Sequence, residues 1–145
     1  SLMVAFSWGI TGAFLPATMY PVPLYKEVLV FLYVFAQILV NTIIFDTLDI
    51  KGDHASGIKT IPLALGIKKT RILLLSINVS FIGWLLICFF SGVFSDHLFT
   101  LAFGVVYETL IVFYFLKTSR PRLHAELFVD GEWLYLVLLM RALRM

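Results

Sequence analysis

Long apolar runs separated by short polar connections make up almost the whole chain. Runs of about 18 or more apolar residues are long enough to cross a bilayer as helices. Five segments reach or approach that length, and they lack the alternation of a lipid-facing barrel strand. They are Leu2–Tyr20, Val28–Phe45, Ile72–Val93, Leu98–Leu116 and Leu123–Met140. The pattern therefore predicts an all-α, polytopic transmembrane helix bundle with about five membrane helices, over a single domain spanning residues 1–145.

Composition narrows the class of protein. The 145 residues are 61% hydrophobic and only 14% charged, whereas soluble domains carry about 25% charged residues. A soluble domain of this size could not bury so much apolar surface, which excludes a soluble enzyme. A net charge of +2 without a basic stripe argues against nucleic acid as a partner. The single cysteine, Cys88, excludes a disulfide framework. We expect an integral, multi-pass protein of the cell membrane, in contact with the lipid bilayer.

The basic residues are distributed unevenly between the two sides of the predicted bundle. Eight of the eleven fall on one side: Lys51, Lys59, Lys68, Lys69, Arg71, Lys117, Arg120 and Arg122. Lys26, Arg141 and Arg144 fall on the other side. Connections rich in Lys and Arg usually face the cytoplasm. The long connection over residues 46–71, which holds most of the polar residues, is therefore predicted to be a cytoplasmic, Asp-rich loop.

Three aspartates at the start of this connection suggest a metal site. Asp46, Asp49 and Asp53 have the spacing i, i+3, i+7, which places them on one face of a helix. Carboxylates about 5–6 Å apart repel by roughly 3 kcal/mol per pair at an effective dielectric constant of about 20, and a cation would offset this. Mg²⁺ is commonly shared between one or two carboxylates and substrate phosphates, and Lys59 could contact such a phosphate directly. The alternative is that the aspartates are solvated loop charges.

Two further polar residues lie within predicted membrane helices. Asn41 precedes Asp46 by five residues, and it either contacts substrate or a metal-bound water, or makes an interhelical hydrogen bond. Glu108 lies in the middle of a helix, where an ionisable group usually faces a cavity or a partner. It is a candidate proton acceptor or substrate contact, or a neutral group hydrogen-bonded to another helix.

The segment from Asn41 to Gly66 resembles a known motif. It reads Asp-x-x-Asp-x-x-Gly-Asp, then Gly-Ile-Lys-Thr-Ile-Pro and Leu-Gly, which is similar to the second aspartate-rich motif of the UbiA-type intramembrane prenyltransferase superfamily. Residues 129–133, Val-Asp-Gly-Glu-Trp, resemble a last-helix signature of some members. The resemblance implies a nine-helix bundle around a central cavity, of which this chain supplies the last five helices.

The resemblance also implies an activity. Asp46, Asp49 and Asp53 would act as catalytic metal ligands, binding Mg²⁺ and a polyprenyl diphosphate. Asn41, Lys59, Glu108 and Asp130 would contact substrate. The reaction would transfer the polyprenyl group, inside the membrane, to an aromatic or other small lipid-precursor acceptor.

One part of the family pattern is absent from the chain. The first family motif, Asn-Asp-x-x-Asp-x-x-x-Asp, has no counterpart here. We therefore expect the chain to be the C-terminal portion of a larger protein, with an N-terminal half that carries this motif as its partner, or else to be inactive by itself.

Two other function classes stay open at this point. The chain could be a segment of a polytopic transporter, or a non-catalytic membrane assembly subunit. Transporters place binding groups near the bilayer midplane, often on broken helices. The carboxylates here gather at a predicted helix end, which fits a diphosphate head group at the membrane interface better.

Overall fold

The computed structural model describes residues 1–117 and 122–142. Within these ranges all regular structure is helical and there is no strand, as predicted. The helices are α1 (Leu2–Ala17), α2 (Leu24–Leu48), α3 (Ile50–Ala55), α4 (Ile61–Leu65), α5 (Ile67–Phe90), α6 (Leu98–Lys117), α7 (Arg122–Ala125) and α8 (Glu132–Ala142). The chain divides into two compact units, Ser1–Thr70 and Arg71–Met145, and each is described by itself.

Three helical segments are long and apolar enough to cross a membrane: Leu24–Leu48, Ile67–Phe90 and Ser95–Leu116. They agree with the second, third and fourth predicted spans. Helix α1 has 16 residues, or about 24 Å of helix, which is short of the roughly 30 Å hydrocarbon core. The polytopic character is thus confirmed through three helices, while the total of five stays a prediction.

The first unit is built on the α1–α2 hairpin. A connection containing Pro21 and Pro23 joins the two helices. Gly9 permits a close approach of α1 to α2, because a Cβ atom added there would stand 3.0 Å from Cε2 of Phe31 and 3.2 Å from Cβ of Phe35. Aromatic side chains fill the rest of the contact, with the Phe31 and Phe35 rings stacked at 5.7 Å between centroids.

Most of the predicted loop over residues 46–71 is helical. Helix α2 continues to Leu48, and its hydrogen-bond ladder runs on through Asp49 N to Phe45 O (3.1 Å) and Asp53 N to Asp49 O (2.9 Å). Pro62 in the first turn of α4 favours a helix start because its fixed φ suits that position. Gly66, at φ +76°, ends α4, and α5 begins at Ile67 rather than at Ile72. Short helices thus occupy much of this connection between α2 and α5, and its cytoplasmic location stays a prediction.

Most of α5 belongs to the second unit, where a short connection joins it to α6. Gly92 and Phe94 both adopt positive φ there, +64° and +58°, which turns the chain sharply between the helices. The Phe94 ring stacks on Trp84 at 6.3 Å. This contact fixes the turn against the buried face of α5.

The fifth predicted span, Leu123–Met140, is not one continuous α-helix. Helix α7 leads into a π-helical segment, Glu126–Asp130, and α8 begins after Gly131. A Cβ atom at Gly131 would collide with the Leu127 carbonyl oxygen, so the break depends on glycine. Arg120 and Arg144, two of the basic residues used to predict the orientation, lie outside the described residues.

Candidate functional site

Asp46 lies in the last turn of α2 and is half-buried. Its Oδ2 atom is buried and has no hydrogen-bond partner among the residues that the structure describes. Leaving a buried carboxylate oxygen without a donor or a cation is costly. The Ser1 side chain hydrogen-bonds to the Asp46 carboxyl group and the N-terminal ammonium charge acts on it, so Oδ2 is the atom of this group that is left to accept a further ligand.

Asp49 and Asp53 follow across the junction of α2 and α3. Asp49 breaks the helix with φ −98° and ψ 9°, but the backbone hydrogen bonds on either side keep α3 close to the helical phase of α2. The charges of Asp53 and Asp49 both act on Asp46, although less strongly than the N-terminal ammonium group and the Ser1 side chain do. The three carboxylates thus belong to one neighbourhood of the first unit.

These carboxylates do not by themselves form a closed metal cage. Across residues 1–117 and 122–142, no group of three or more His, Cys, Asp or Glu side chains is placed to hold a metal ion. The expectation that Asp46, Asp49 and Asp53 converge as three ligands is therefore not met by the side chains alone. The unpartnered Asp46 oxygen and its carboxylate neighbours fit an ion such as Mg²⁺, which takes one or two carboxylates and completes its shell with water and phosphate.

Lys59 follows α3 in the same unit. Gly57, at φ +68°, turns the chain before it, and the Lys59 side chain is exposed and available to an anion. Beside it, the Thr60 hydroxyl is buried and has no hydrogen-bond partner in the described part of the chain. Sequence reasoning missed Thr60, because a threonine before a helix is usually read only as an N-cap, and here no side-chain capping bond forms.

Asn41 lies on a buried polar stripe of α2. Tyr33, Gln37 and Asn41 recur every fourth residue and all three are buried. The Gln37 amide nitrogen lies 3.4 Å from the Tyr33 hydroxyl oxygen, a long contact for a hydrogen bond. The Asn41 Oδ1 atom has no hydrogen-bond partner within the described ranges. Burial alone suits either interpretation of Asn41, as a packing residue or as a ligand contact.

The two remaining predicted site residues belong to the second unit. Glu108 is completely buried in α6, whereas Asp130 is exposed at the end of the π-helical segment. Glu132, two residues further on, is buried in α8. The structure therefore brings Asn41, the aspartates and Lys59 into one unit, and it assigns Glu108 and Asp130 to the other.

The second unit also contains an open, mostly apolar cavity of about 420 Å³. At its border the Tyr114 hydroxyl lies 3.1 Å from Nδ1 of His124. An apolar wall with a few polar atoms is typical of small-molecule sites. Its lining residues are Tyr107, Leu110, Ile111, Tyr114, Phe115 and Phe128.

Comparison with known proteins adds no assignment: no family model, curated protein or solved structure matches the chain. The class of protein follows from the fold itself. An all-helical chain with three long apolar helices is that of an integral membrane protein.

Proposed function

We propose that the protein is a Mg²⁺-dependent membrane prenyltransferase of the UbiA type. It would transfer a polyprenyl group from a polyprenyl diphosphate to an aromatic or other small lipid-precursor acceptor. The N-terminal half expected from the family pattern would supply the first aspartate-rich motif. The positive-inside distribution of Lys and Arg supports a diphosphate site at the cytoplasmic face of the membrane.

The observation that carries this proposal is the unpartnered, buried Oδ2 atom of Asp46, with Asp49 and Asp53 beside it at the end of a membrane-length helix. Carboxylates in this position favour a ligand that brings both a divalent cation and phosphate oxygens. A lipid diphosphate meets that requirement, because its head group lies at the membrane interface while its isoprenoid tail remains among apolar side chains.

The chain's own residues have distinct tasks in this proposal. One or two carboxylates of the Asp46, Asp49 and Asp53 group would hold Mg²⁺ together with water and phosphate oxygens, and Mg²⁺, when bound, would neutralise the negative charge that develops on the departing diphosphate. Lys59 would donate hydrogen bonds to the phosphate oxygens. Surrounding apolar side chains would keep water away from the allylic group until the acceptor reacts.

The test is binding and transfer by the full-length protein in detergent or nanodiscs. We expect polyprenyl diphosphate to bind in the presence of Mg²⁺ and not after its removal by a chelator. The double variant Asp49→Ala, Asp53→Ala should lose both binding and transfer. Asp96→Ala, which removes an exposed aspartate of the second unit, is the matched control and should retain both.

Two results would refute the proposal. One is transfer by the double variant at the rate of the unmodified protein. The other is binding of polyprenyl diphosphate that is indifferent to Mg²⁺, since the aspartates would then have no part in holding the diphosphate.

A further inference from the structure

The open cavity of the second unit has one wall on α6 and another on the π-helical segment. It measures about 420 Å³, within the range of about 300–1,000 Å³ that is typical of small-molecule sites. Aromatic side chains make up much of its lining, namely those of Tyr107, Tyr114, Phe115 and Phe128. π-Helical turns occur frequently at functional sites, so the size, lining and position of this cavity all favour a bound small molecule.

Contacts between the two walls define the shape of the cavity. The Tyr107 hydroxyl donates a hydrogen bond of 2.9 Å to the Phe128 carbonyl oxygen. Seven residues further along α6, which is about 10 Å of helix, the Tyr114 ring meets the Phe128 ring at 6.4 Å between centroids and 64° between planes. Phe128 is therefore fixed to α6 through both its backbone and its ring, and the cavity is part of the packed structure.

His124 brings a polar group to one border of the cavity. Its ring centroid lies 6.5 Å from that of Tyr114 and 6.2 Å from that of Phe128, and both of these residues line the cavity. The Tyr114 hydroxyl oxygen lies 3.1 Å from Nδ1 of His124. This contact leaves the second ring nitrogen, Nε2, for a ligand.

The contact with Tyr114 determines what Nε2 of His124 can do. When the hydroxyl donates to Nδ1, Nε2 carries the proton and is a donor. When Nδ1 donates to the hydroxyl oxygen, Nε2 is an acceptor. A ligand hydroxyl suits both arrangements, because it accepts a hydrogen bond as readily as it donates one. A carboxylate, which only accepts, or an ammonium group, which only donates, would suit just one of them.

The rest of the cavity favours a flat, apolar ring, because aromatic side chains pack well against other rings in offset or edge-to-face arrangements. The lined stretch runs from Tyr114 back to Tyr107, within the segment Ser95–Leu116 that is long and apolar enough to cross a membrane. His124 follows the end of this segment. We infer that the second unit binds a lipid-soluble phenol, with its ring in the cavity and its hydroxyl group on Nε2 of His124.

The test is isothermal titration of the full chain in nanodiscs with thymol, a lipid-soluble phenol, after subtraction of the heat measured with empty nanodiscs. Two matched ligands are p-cymene, which lacks only the hydroxyl group, and menthol, which carries the hydroxyl group on a saturated, non-planar ring. We expect thymol to bind with a lower Kd than either of them.

The phenol site is independent of the proposed prenyl transfer, since it uses neither Mg²⁺ nor the aspartates of the first unit. Addition of EDTA should therefore leave the Kd of thymol unchanged, whereas it should abolish binding of polyprenyl diphosphate. A thymol Kd that rises with EDTA would assign the ligand to the metal site and overturn the inference.

Two variants separate the hydrogen bond from the cavity. His124→Leu should raise the Kd of thymol about 2-fold to 13-fold, as expected for the loss of one hydrogen bond between neutral groups, and leave that of p-cymene unchanged. Leu110→Trp, at an exposed residue that lines the cavity, should weaken binding of both ligands. The matched controls are His97→Leu, at a half-buried histidine of the same unit, and Leu86→Trp, at an exposed leucine of α5. Both controls should keep the Kd values of the unmodified chain.

Three further results would overturn the inference. One is the absence of saturable thymol binding beyond that of empty nanodiscs. The second is a Kd of p-cymene or menthol as low as that of thymol, since the cavity would then take an apolar or non-planar lipid. The third is a thymol Kd that His124→Leu or Leu110→Trp leaves at the value of its control, because thymol would then bind elsewhere. Leu110→Trp decides this last point alone if His124→Leu does not fold.

Discussion

The Tyr107 hydroxyl donates a hydrogen bond of 2.9 Å to the carbonyl oxygen of Phe128. Tyr107 lies on α6, and Phe128 lies in the π-helical segment 21 residues further on. A π-helical turn disturbs the regular i to i−4 pattern of backbone hydrogen bonds. The Tyr107 hydroxyl provides a hydrogen-bond donor for one carbonyl group of the π-helical segment and so links this segment to α6.

Replacing Tyr107 with phenylalanine should loosen the π-helical segment. The variant keeps the ring that stacks on Phe103 and removes only the hydroxyl donor. We expect a loss of about 1 kcal/mol in the free energy of unfolding and faster amide hydrogen exchange over residues 126–130. Tyr25→Phe, at an exposed tyrosine of the first unit, is the control. Equal exchange in the two variants would contradict the prediction.

Gly131→Ala should destabilise the same region by a different mechanism. The added Cβ atom would collide with the Leu127 carbonyl oxygen, so the backbone must shift before α8 can begin. The matched control is Gly83→Ala in α5, where nothing lies within 4 Å of the added atom. Alanine favours a helix over glycine by about 1 kcal/mol, so Gly83→Ala should leave Tm unchanged or raise it. A Gly131→Ala chain as stable as Gly83→Ala would refute the clash.

Gly9→Leu should separate α1 from α2. The space at Gly9 is closed by Phe31 and Phe35, and overpacking of this kind costs about 1–3 kcal/mol. Gly12→Ala is the milder comparison, because its nearest neighbour, Val34, lies at an ordinary contact distance of 3.4 Å. Cysteine cross-linking between α1 and α2 measures the effect, and cross-linking of Gly9→Leu as efficient as that of Gly12→Ala would speak against it.

Lys59→Gln should weaken binding of the diphosphate without changing the need for Mg²⁺. A hydrogen bond to a charged group contributes about 1.5–3 kcal/mol, which corresponds to a rise in Kd of roughly 10-fold to 150-fold. Lys68→Gln, at an exposed lysine in the first turn of α5, is the matched control. Isothermal titration with a short-chain polyprenyl diphosphate compares the two. Equal Kd values for the two variants would remove Lys59 from the proposed site.

The sequence predicted the helices more accurately in uninterrupted apolar runs than in segments that mix polar and apolar residues. The apolar runs of α2, α5 and α6 were located within a few residues, because helices in lipid must satisfy their own backbone hydrogen bonds. The segment between Asp46 and Arg71 was read as a loop because it is polar, yet Pro62 and the backbone ladder through Asp49 and Asp53 make much of it helical. The polar residues of this segment indicate exposure to solvent, but they do not exclude a helical backbone.

The sequence predicted only part of the candidate site. The i, i+3, i+7 spacing identified three aspartates of one neighbourhood, and the charges of Asp49 and Asp53 do act on Asp46. It could not show that the three side chains fail to converge as a metal cage, since that depends on the side-chain positions across the junction of α2 and α3. The contact of Tyr114 with His124 was missed altogether, because the two residues lie on different helices and only tertiary packing brings them together.

What the amino-acid sequence alone determined is the class of the protein, a helical membrane protein, because hydropathy and helix length are properties of each segment by itself. Which polar atoms are buried without a partner was decided only by tertiary structure. The Oδ2 atom of Asp46 and the hydroxyl group of Thr60 belong to ordinary side chains in the sequence. They become candidate ligands because residues distant along the chain exclude water from them and supply no hydrogen bond in its place.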